Sequence, residues 1–360
     1  MIFTGAAVIA AVALFARQSL LVAYVLLGIL LGPSVFGIVN NPEVIKQIAH
    51  IGIIFLLFLL GLNLNPADLM QMVKKTTLVT IASSAVFALA GFTVALLFAV
   101  PFIEALLVGA VMSFSSTIIG LKLLPTTILH HQRTGEVVIS ILLLQDLLAM
   151  VLLLLVKGSG AGLAEGDVDW REPLMLLLKL PLLVIFTWLM TSYVLLPLIH
   201  RFDKIREFIF LVAIGWCLGM AQLAGWLGLS AEIGAFIAGV SLASTQVALF
   251  VSESLKPLRD FFLILFFFSL GARMDIGMSA PVVLPALTLC AVTLLLKPPV
   301  FRWLLLRIGE SEARSRSIGI RLGQMSEFSL LISVVAMDAG SISQQTGYLI
   351  QFTTLFTFIA

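Results

Sequence analysis

The sequence predicts an all-α polytopic membrane protein with about thirteen transmembrane helices. Three observations carry this. Hydrophobic residues are 61% of the chain, charged residues are 11%, and the chain resembles itself at an offset of about 210 positions. Soluble domains carry about 25% charged residues. At roughly 20 apolar residues per span, 360 residues of this composition hold about eleven helices, and more where Gly, Ser and Thr lie inside them. A soluble enzyme, a disordered chain and a secreted disulfide scaffold are thereby excluded. So is an outer-membrane barrel, whose strands alternate apolar and polar residues. The net charge of +2 indicates no nucleic-acid surface. Cys217 and Cys290 lie in separate apolar runs and read as free thiols, small hydrophobes in packed helices. The N-terminus has no basic region or small-residue cleavage site of a signal peptide.

Apolar runs bounded by charges, Gly and Pro place the spans in order. The first covers 2–16 and stops at Arg17, the second 20–39, and the third 44–62, before Asn63. The fourth, 76–99, opens after Lys74-Lys75, and the fifth, 103–124, lies between Pro101 and Pro125. The sixth, 135–156, ends at Lys157-Gly158, and the seventh, 173–199, runs from Pro173 to His200-Arg201. The eighth and ninth, 206–226 and 228–245, are separated at Leu227-Gly228. The tenth, 256–271, precedes Arg273, and the eleventh, 280–305, precedes Arg307. The twelfth is 315–338, and the thirteenth, 346–360, is still apolar at Ala360, which predicts that the natural chain continues.

Basic residues orient these spans. Fourteen lysines and arginines fall in the loops beginning with that after the first span, and four in the opposite loops. Positive residues mark the cytoplasmic side. The expected N-terminus is therefore outside and the C-terminus cytoplasmic. The acidic loop with Glu165, Asp167, Asp169 and Glu172 falls outside.

The repeat is read from two matches. Phe58-Leu59-Leu60-Gly61-Leu62-Asn63 resembles Phe268-Ser269-Leu270-Gly271-Ala272-Arg273, and Gly28 to Gly32 resembles Gly234 to Gly239. The second span then matches the ninth and the third the tenth. A shift of seven spans inverts direction, so inverted repeats over 1–156 and 206–360, joined by a linker helix at 173–199, are expected. Such repeats place the substrate site near the midplane, where broken helices meet. The fifth span carries Ser113-Phe114-Ser115-Ser116-Thr117. The twelfth carries Gly323-Gln324-Met325-Ser326-Glu327 at the matching position. Serine and threonine can re-satisfy backbone freed by unwinding, so both helices are expected to be interrupted there.

Charges inside spans point to chemistry. Asp146 sits mid-span after Leu144-Gln145, where a carboxylate costs about 2.5–3.5 kcal/mol on insertion scales. No opposite charge lies one helical turn away, so its partner is expected on another helix. Lys297, deep in Leu294-Leu295-Leu296-Lys297, is the candidate. Glu327 is the next carboxylate, beside the expected break, where a half-helix N-terminus favours negative charge. Burial favours a protonated carboxyl, and a nearby ammonium favours the anion. An aspartate between those influences can hold a proton or a monovalent cation in turn. One carboxylate, with Gln145 adding a neutral carbonyl oxygen, suggests one-for-one, charge-balanced exchange. His130 and His131 read as solvated loop histidines, and Asp68 and Asp275 as loop polarity.

The chain resembles the membrane domain of the monovalent cation:proton antiporter family 2, in its Kef-type potassium-efflux branch. The resemblance rests on an ordered set over nearly the whole chain: 27–33 (LGILLGP), 52–65 (GIIFLLFLLGLNLN), Ser115-Ser116-Thr117, Leu144-Gln145-Asp146, 229–239 (LSAEIGAFIAG), 266–275 (FFFSLGARMD) and 323–328 (GQMSEF). It implies an NhaA-like fold of inverted repeats with two crossed interrupted helices. It implies a homodimer, with spans 1–3 and 8–10 at the interface and spans 4–6 and 11–13 as a moving ion-carrying part. Asp146 would carry ion and proton in turn. Gln145, Ser115, Ser116 and Thr117 would neighbour the ion, Lys297 would be its charge partner, and Gly323, Gln324, Ser326 and Glu327 would form the second break. The Gln145-Asp146 pair is similar to the potassium type, whereas electrogenic sodium exchangers usually carry two acids or Asn-Asp. Arg321 and Met325 depart from the family's small or apolar residues.

The resemblance further implies a multi-pass inner (plasma) membrane protein in contact with lipid. A cytoplasmic regulatory domain or subunit would follow, and only there would nucleotide or glutathione bind; no cofactor is expected within this chain. Transported K+, or Na+ on the same scaffold, and H+ are the ligands. A gated channel-like efflux system is the less favoured alternative, since no filter sequence appears. No metal or Ser/His/Asp motif supports an enzyme.

Overall fold

The computed structural model describes residues 2–16, 18–39, 42–63, 66–116, 133–159, 171–202, 205–245, 247–274, 277 and 280–360. They form α1 (Ile2–Phe15), α2 (Leu20–Leu31), α3 (Pro42–Asn63), α4 (Pro66–Leu97), α5 (Phe102–Met112) and α6 (Arg133–Ser159). Then α7 (Arg171–Met190), a π-helical turn (Thr191–Leu195) and α8 (Leu196–Arg201) run on without a break. The rest are α9 (Arg206–Trp226), α10 (Ala231–Ala243), α11 (Ala248–Ala272), α12 (Ala280–Arg307), α13 (Glu312–Arg321), α14 (Glu327–Asp338) and α15 (Gln344–Ile359). Extended pairing among the described residues is the isolated antiparallel bridge Ser115–Met325.

The expected all-helical architecture is present, with differences that have local causes. Segments 76–97, 179–201, 206–226 and 281–307 are long and apolar enough to cross a membrane. The second span ends early, at Leu31, because Gly32-Pro33 leads into a turn that closes at Gly37, φ +59°. Proline lacks the N–H that would continue the helix. Pro197 cannot donate to the carbonyl one turn back, and the wider π turn immediately precedes it. The tenth span starts two turns earlier than its apolar run, at Ala248. The twelfth is interrupted, and the fifth ends early, its remainder lying outside the described residues. α5 stops at Met112 with 113–116 non-helical, and 322–326 separates α13 from α14.

The chain forms two compact units. Unit 1 is 1–68 with 169–274, and unit 2 is 69–168 with 275–360. In unit 1, α3 packs on α10 and α11, α2 on α11, and α9 on α10. Phe55, Phe58 and Leu59 of α3 share a core with Cys217 and Met220 of α9 and Ala235 and Leu242 of α10. Cys217 is a free, buried thiol, as is Cys290 in unit 2.

Glycines set the closest approaches. A Cβ at Gly61 would strike Phe236 O, and one at Gly239 would strike Phe58 O. A Cβ at Gly28 would strike Phe268 O, and one at Gly271 would strike Val25 O. The two pairs of contacts interchange under an offset of 210 or 211 positions. The offset pairs Gly28 with Gly239, and not with Gly234 as the motif alignment has it. Gly234 is instead packed against Met220 O of α9.

Unit 2 obeys the same offset. A Cβ at Gly109 of α5 would strike Ala88 O of α4, and one at Gly319 of α13 would meet Pro298 O of α12 at 2.6 Å. Phe87 and Phe301 meet edge to face at 5.2 Å within a core of Val138, Ile141, Leu305, Ile318 and Leu322.

Overpacking a close contact costs about 1–3 kcal/mol. Gly239→Val is therefore expected to lower the thermal midpoint of the detergent-solubilised protein. Gly219→Ala on α9, where a Cβ meets nothing within 4 Å, should leave it unchanged or raise it. Fluorescence-detected melting of both variants checks this.

Candidate functional site

The site lies in unit 2, where two helices stop inside the membrane-spanning region. A helix end strands backbone donors and acceptors. Without water, each must find a protein partner. Ser115 N donates to Gln145 Oε1 at 2.9 Å, and Gln145 Nε2 donates to Ser113 O at 3.0 Å, so one α6 amide holds both sides of the extended segment. Ser115 Oγ donates to Leu322 O at 2.9 Å, across the crossing. Met325 N donates to Thr357 Oγ1 of α15 at 3.2 Å. Ser329 Oγ of α14 donates to Val111 O near the α5 terminus at 2.9 Å.

Lys297 completes the set. Its Nζ donates to Phe114 O at 2.7 Å, to Gln324 O at 3.1 Å and to Ser115 Oγ at 3.4 Å, and lies 5.5 Å from the Phe87 ring centroid. Phe114 and Gln324 are 210 positions apart, as are Phe87 and Lys297, and Ser115 and Met325. One fully buried ammonium thus ties together the equivalent carbonyls of both breaks. Among the described residues these are the partners of Lys297, and Asp146 is not one of them. The expected Asp146–Lys297 ion pair is not formed here, because carbonyls and a hydroxyl freed by the breaks take up the ammonium donors.

Asp146 follows Gln145 on α6. Both are buried, at 2% and 0% exposure. Glu327 stands in the first turn of α14, capped by Ser326, whose Oγ accepts from Phe328 N at 3.1 Å. Ser116 Oγ donates to Glu327 Oε2 at 2.8 Å and links the two breaks by side chains. Gln324 Oε1 is buried and accepts no hydrogen bond from a described residue. Gly323 lies where a Cβ would meet Ile320 O at 3.2 Å and Pro298 Cγ at 3.4 Å. Arg321 Nε donates to Ser317 Oγ at 3.2 Å.

The structure therefore brings together Ser115, Ser116, Gln145, Lys297, Gln324 and Glu327. Asp146 is placed on the same helix as Gln145. Thr117, His130, His131 and Asp275, and the side chain of Asp68, lie outside the described residues. Thr357, Ser329 and Phe87 also join the site. Thr357 and Ser329 look like ordinary small-residue packing in apolar runs. Phe87 had a signal, since it stands 210 positions before Lys297.

Orphaning a buried polar group costs about 1–3 kcal/mol. Gln145→Leu leaves Ser115 N and Ser113 O unpaired, and Lys297→Met leaves two carbonyls so. Both variants are expected to melt lower than wild type, and Gln145→Glu, which restores the acceptor for Ser115 N, should recover part of the loss. Thermal melting of the three variants provides the check.

Comparison with known proteins bears on the family and the fold. Residues 2–360 match the profile of the family described as "Sodium/hydrogen exchanger, transmembrane". The chain is 29% identical to the "Iron transporter MagA" of Paramagnetospirillum magneticum, over 95% of this chain and 78% of that protein. It is 28% identical to the "K(+) efflux antiporter 5" of Arabidopsis thaliana, over 88% of this chain and 56% of that one. It is 30% identical to the "Putative K(+) efflux antiporter KefB" of Alkalimonas amylolytica, over 93% and 50%. The chain thus spans about half the length of the K(+) efflux antiporters it matches. In fold it resembles the sodium proton antiporter MjNhaP1 of Methanocaldococcus jannaschii, with TM-score 0.68 and 16% identity over 98% of this chain and 92% of that chain. By sequence match over residues 2–360, the chain belongs to the transmembrane sodium/hydrogen exchanger family.

Proposed function

We propose that this protein exchanges a monovalent cation, K+ foremost, for H+ by alternating access, with Asp146 holding cation and proton in turn. The observation that carries this is the burial of Asp146 beside Gln145, the residue that fixes the extended Ser113–Ser115 segment. A carboxylate, serine hydroxyls and an uncommitted amide oxygen at Gln324 are hard oxygen donors, suited to an alkali cation. Names of relatives point to K+ and to iron. Potassium fits this donor set better, since transition metals favour imidazole or thiolate. Among the described residues no group of three or more His, Cys, Asp or Glu converges.

Lys297, committed to backbone carbonyls, keeps the crossing intact. One carboxylate exchanging one cation for one proton moves no net charge. The glycine contacts that interchange at 210 positions support inverted repeats over 1–156 and 206–360. The positive-inside bias supports an external N-terminus in a plasma membrane, and the family supports a homodimer. A regulatory domain or subunit on the cytoplasmic side fits the longer relatives.

The test is exchange in proteoliposomes with a trapped pH dye. Potassium pulses should shift lumenal pH, sodium less so, and choline not at all. Asp146→Asn should abolish the response. A larger response to sodium would reverse the cation assignment. Clamping the membrane potential should leave the rate unchanged within about twofold, since a net charge crossing 100 mV is worth about 2.3 kcal/mol.

A further inference from the structure

The C-terminal end of α12 begins a cluster of charge that the ion site does not use. Five of the chain's twelve arginines fall between 302 and 321, with no lysine among them. Arg302 and Arg307 close α12, and Arg314, Arg316 and Arg321 lie on α13. The carboxylates of the same stretch are Glu310 and Glu312. Arginine is the cation whose planar fork matches phosphate oxygens.

The helix that carries the cluster has two faces. Lys297, Phe301 and Leu305, at four-residue spacing, are fully buried within unit 2. Leu284, Leu287, Leu295, Trp303 and Leu306 form an exposed stripe, with Leu295 76% and Trp303 55% exposed. The segment 281–307 is apolar enough to cross a membrane, so this stripe is the face open to acyl chains. Its 27 residues rise about 40 Å at about 1.5 Å each, more than a hydrocarbon core of about 30 Å. Tryptophan and arginine belong at the headgroup level, and they stand together at this end of the stripe.

Two of the arginines are committed. Arg302 Nη2 pairs with Glu312 Oε1 at 2.6 Å. Arg314 Nη1 pairs with Glu310 Oε2 at 3.0 Å, and its Nε donates to Ser311 Oγ at 3.0 Å. These contacts brace the turn between α12 and α13 and use both carboxylates. Arg307 is held differently. Its guanidinium carbon lies 4.9 Å from the centroid of the Trp303 ring, one turn back on α12. Stacking on a ring face orients a guanidinium without consuming its N–H donors. Among the described residues, no carboxylate pairs with Arg307 or with the exposed Arg316. The corner therefore keeps a positive surplus. The turn after Arg307 is open, since Gly309 has φ +88° and a Cβ there would meet nothing within 4 Å.

We propose that Arg307, stacked on Trp303, binds the phosphate of an anionic phospholipid whose chains lie along the Leu295–Leu306 stripe. The guanidinium can meet two phosphate oxygens at once, and the apolar stripe continues directly from it. A zwitterionic headgroup carries the same phosphate but adds an ammonium, which the surplus arginines repel. This does not rest on the exchange reading, and it is tested without transport. The detergent-purified chain, stripped of lipid, is melted with equal amounts of phosphatidylglycerol or phosphatidylcholine. Phosphatidylglycerol should raise the thermal midpoint by about 2 °C or more over phosphatidylcholine. Native mass spectrometry should find phosphatidylglycerol held about fivefold more weakly by Arg307→Gln. Trp303→Leu should weaken it too, and Arg307→Lys should restore only part of the binding. Arg201→Gln, which removes an exposed arginine at the end of α8 in unit 1, should leave retention unchanged. Equal stabilisation by the two lipids, undiminished retention in Arg307→Gln, or the same loss in Arg201→Gln overturns the proposal. Release of the lipid by millimolar inorganic phosphate would assign the site to a soluble phosphate compound and overturn a lipid site. If Trp303→Leu fails to fold, Arg307→Gln against Arg307→Lys still decides it.

Discussion

Everything in unit 2 depends on one constraint, that backbone broken inside a membrane must be satisfied by protein. Two helices stop at the same place, and the stranded groups number more than packing alone could tolerate. A single orphaned carbonyl or amide costs about 1–3 kcal/mol in protein interiors, and several where no water can reach it. Gln145, Ser115, Ser329, Thr357 and Lys297 each take up one or two of them. The extended crossing can then persist as a rigid feature, so that the polar side chains at it are presented in fixed positions. Unwinding alone would have left a loose, costly gap.

The scaffold is symmetric, but its chemistry is not. At an offset of 210 positions Lys297 corresponds to Phe87, Gln145 to Leu355, Asp146 to Phe356 and Glu327 to Thr117. The fold needs two equivalent breaks, and the backbone supplies both. It needs only one ammonium, since a single Nζ reaches Phe114 O and Gln324 O together. The matching position is free to hold an aromatic ring, and Phe87 lies against the ammonium, where its ring face attracts positive charge. A second lysine there would bury like charges beside each other.

In unit 1 the same economy takes another form. Glycine faces let α2 meet α11 and α3 meet α10 backbone to backbone, as small residues do in membrane bundles where apolar lipid offers no drive for association. Glu232 at the start of α10 is buried in this packing.

The sequence alone determined the all-helical membrane class, the offset of the repeat and the places where two helices break. These follow from composition, from recurring Gly and Phe, and from serine clusters in apolar runs, all of which are local signals. It also marked Asp146, Lys297 and Glu327, because charge in an apolar run is conspicuous. Only the tertiary structure decided what those charges do to one another. Lys297 and Asp146 look like complementary charges in the sequence, but the ammonium is claimed by Phe114 O and Gln324 O, whose need for a donor arises only once the helices cross. The partnership of Glu327 with Ser116 joins residues 211 positions apart. No periodicity or spacing encodes such pairs, because they depend on where two separate helices start and stop in space.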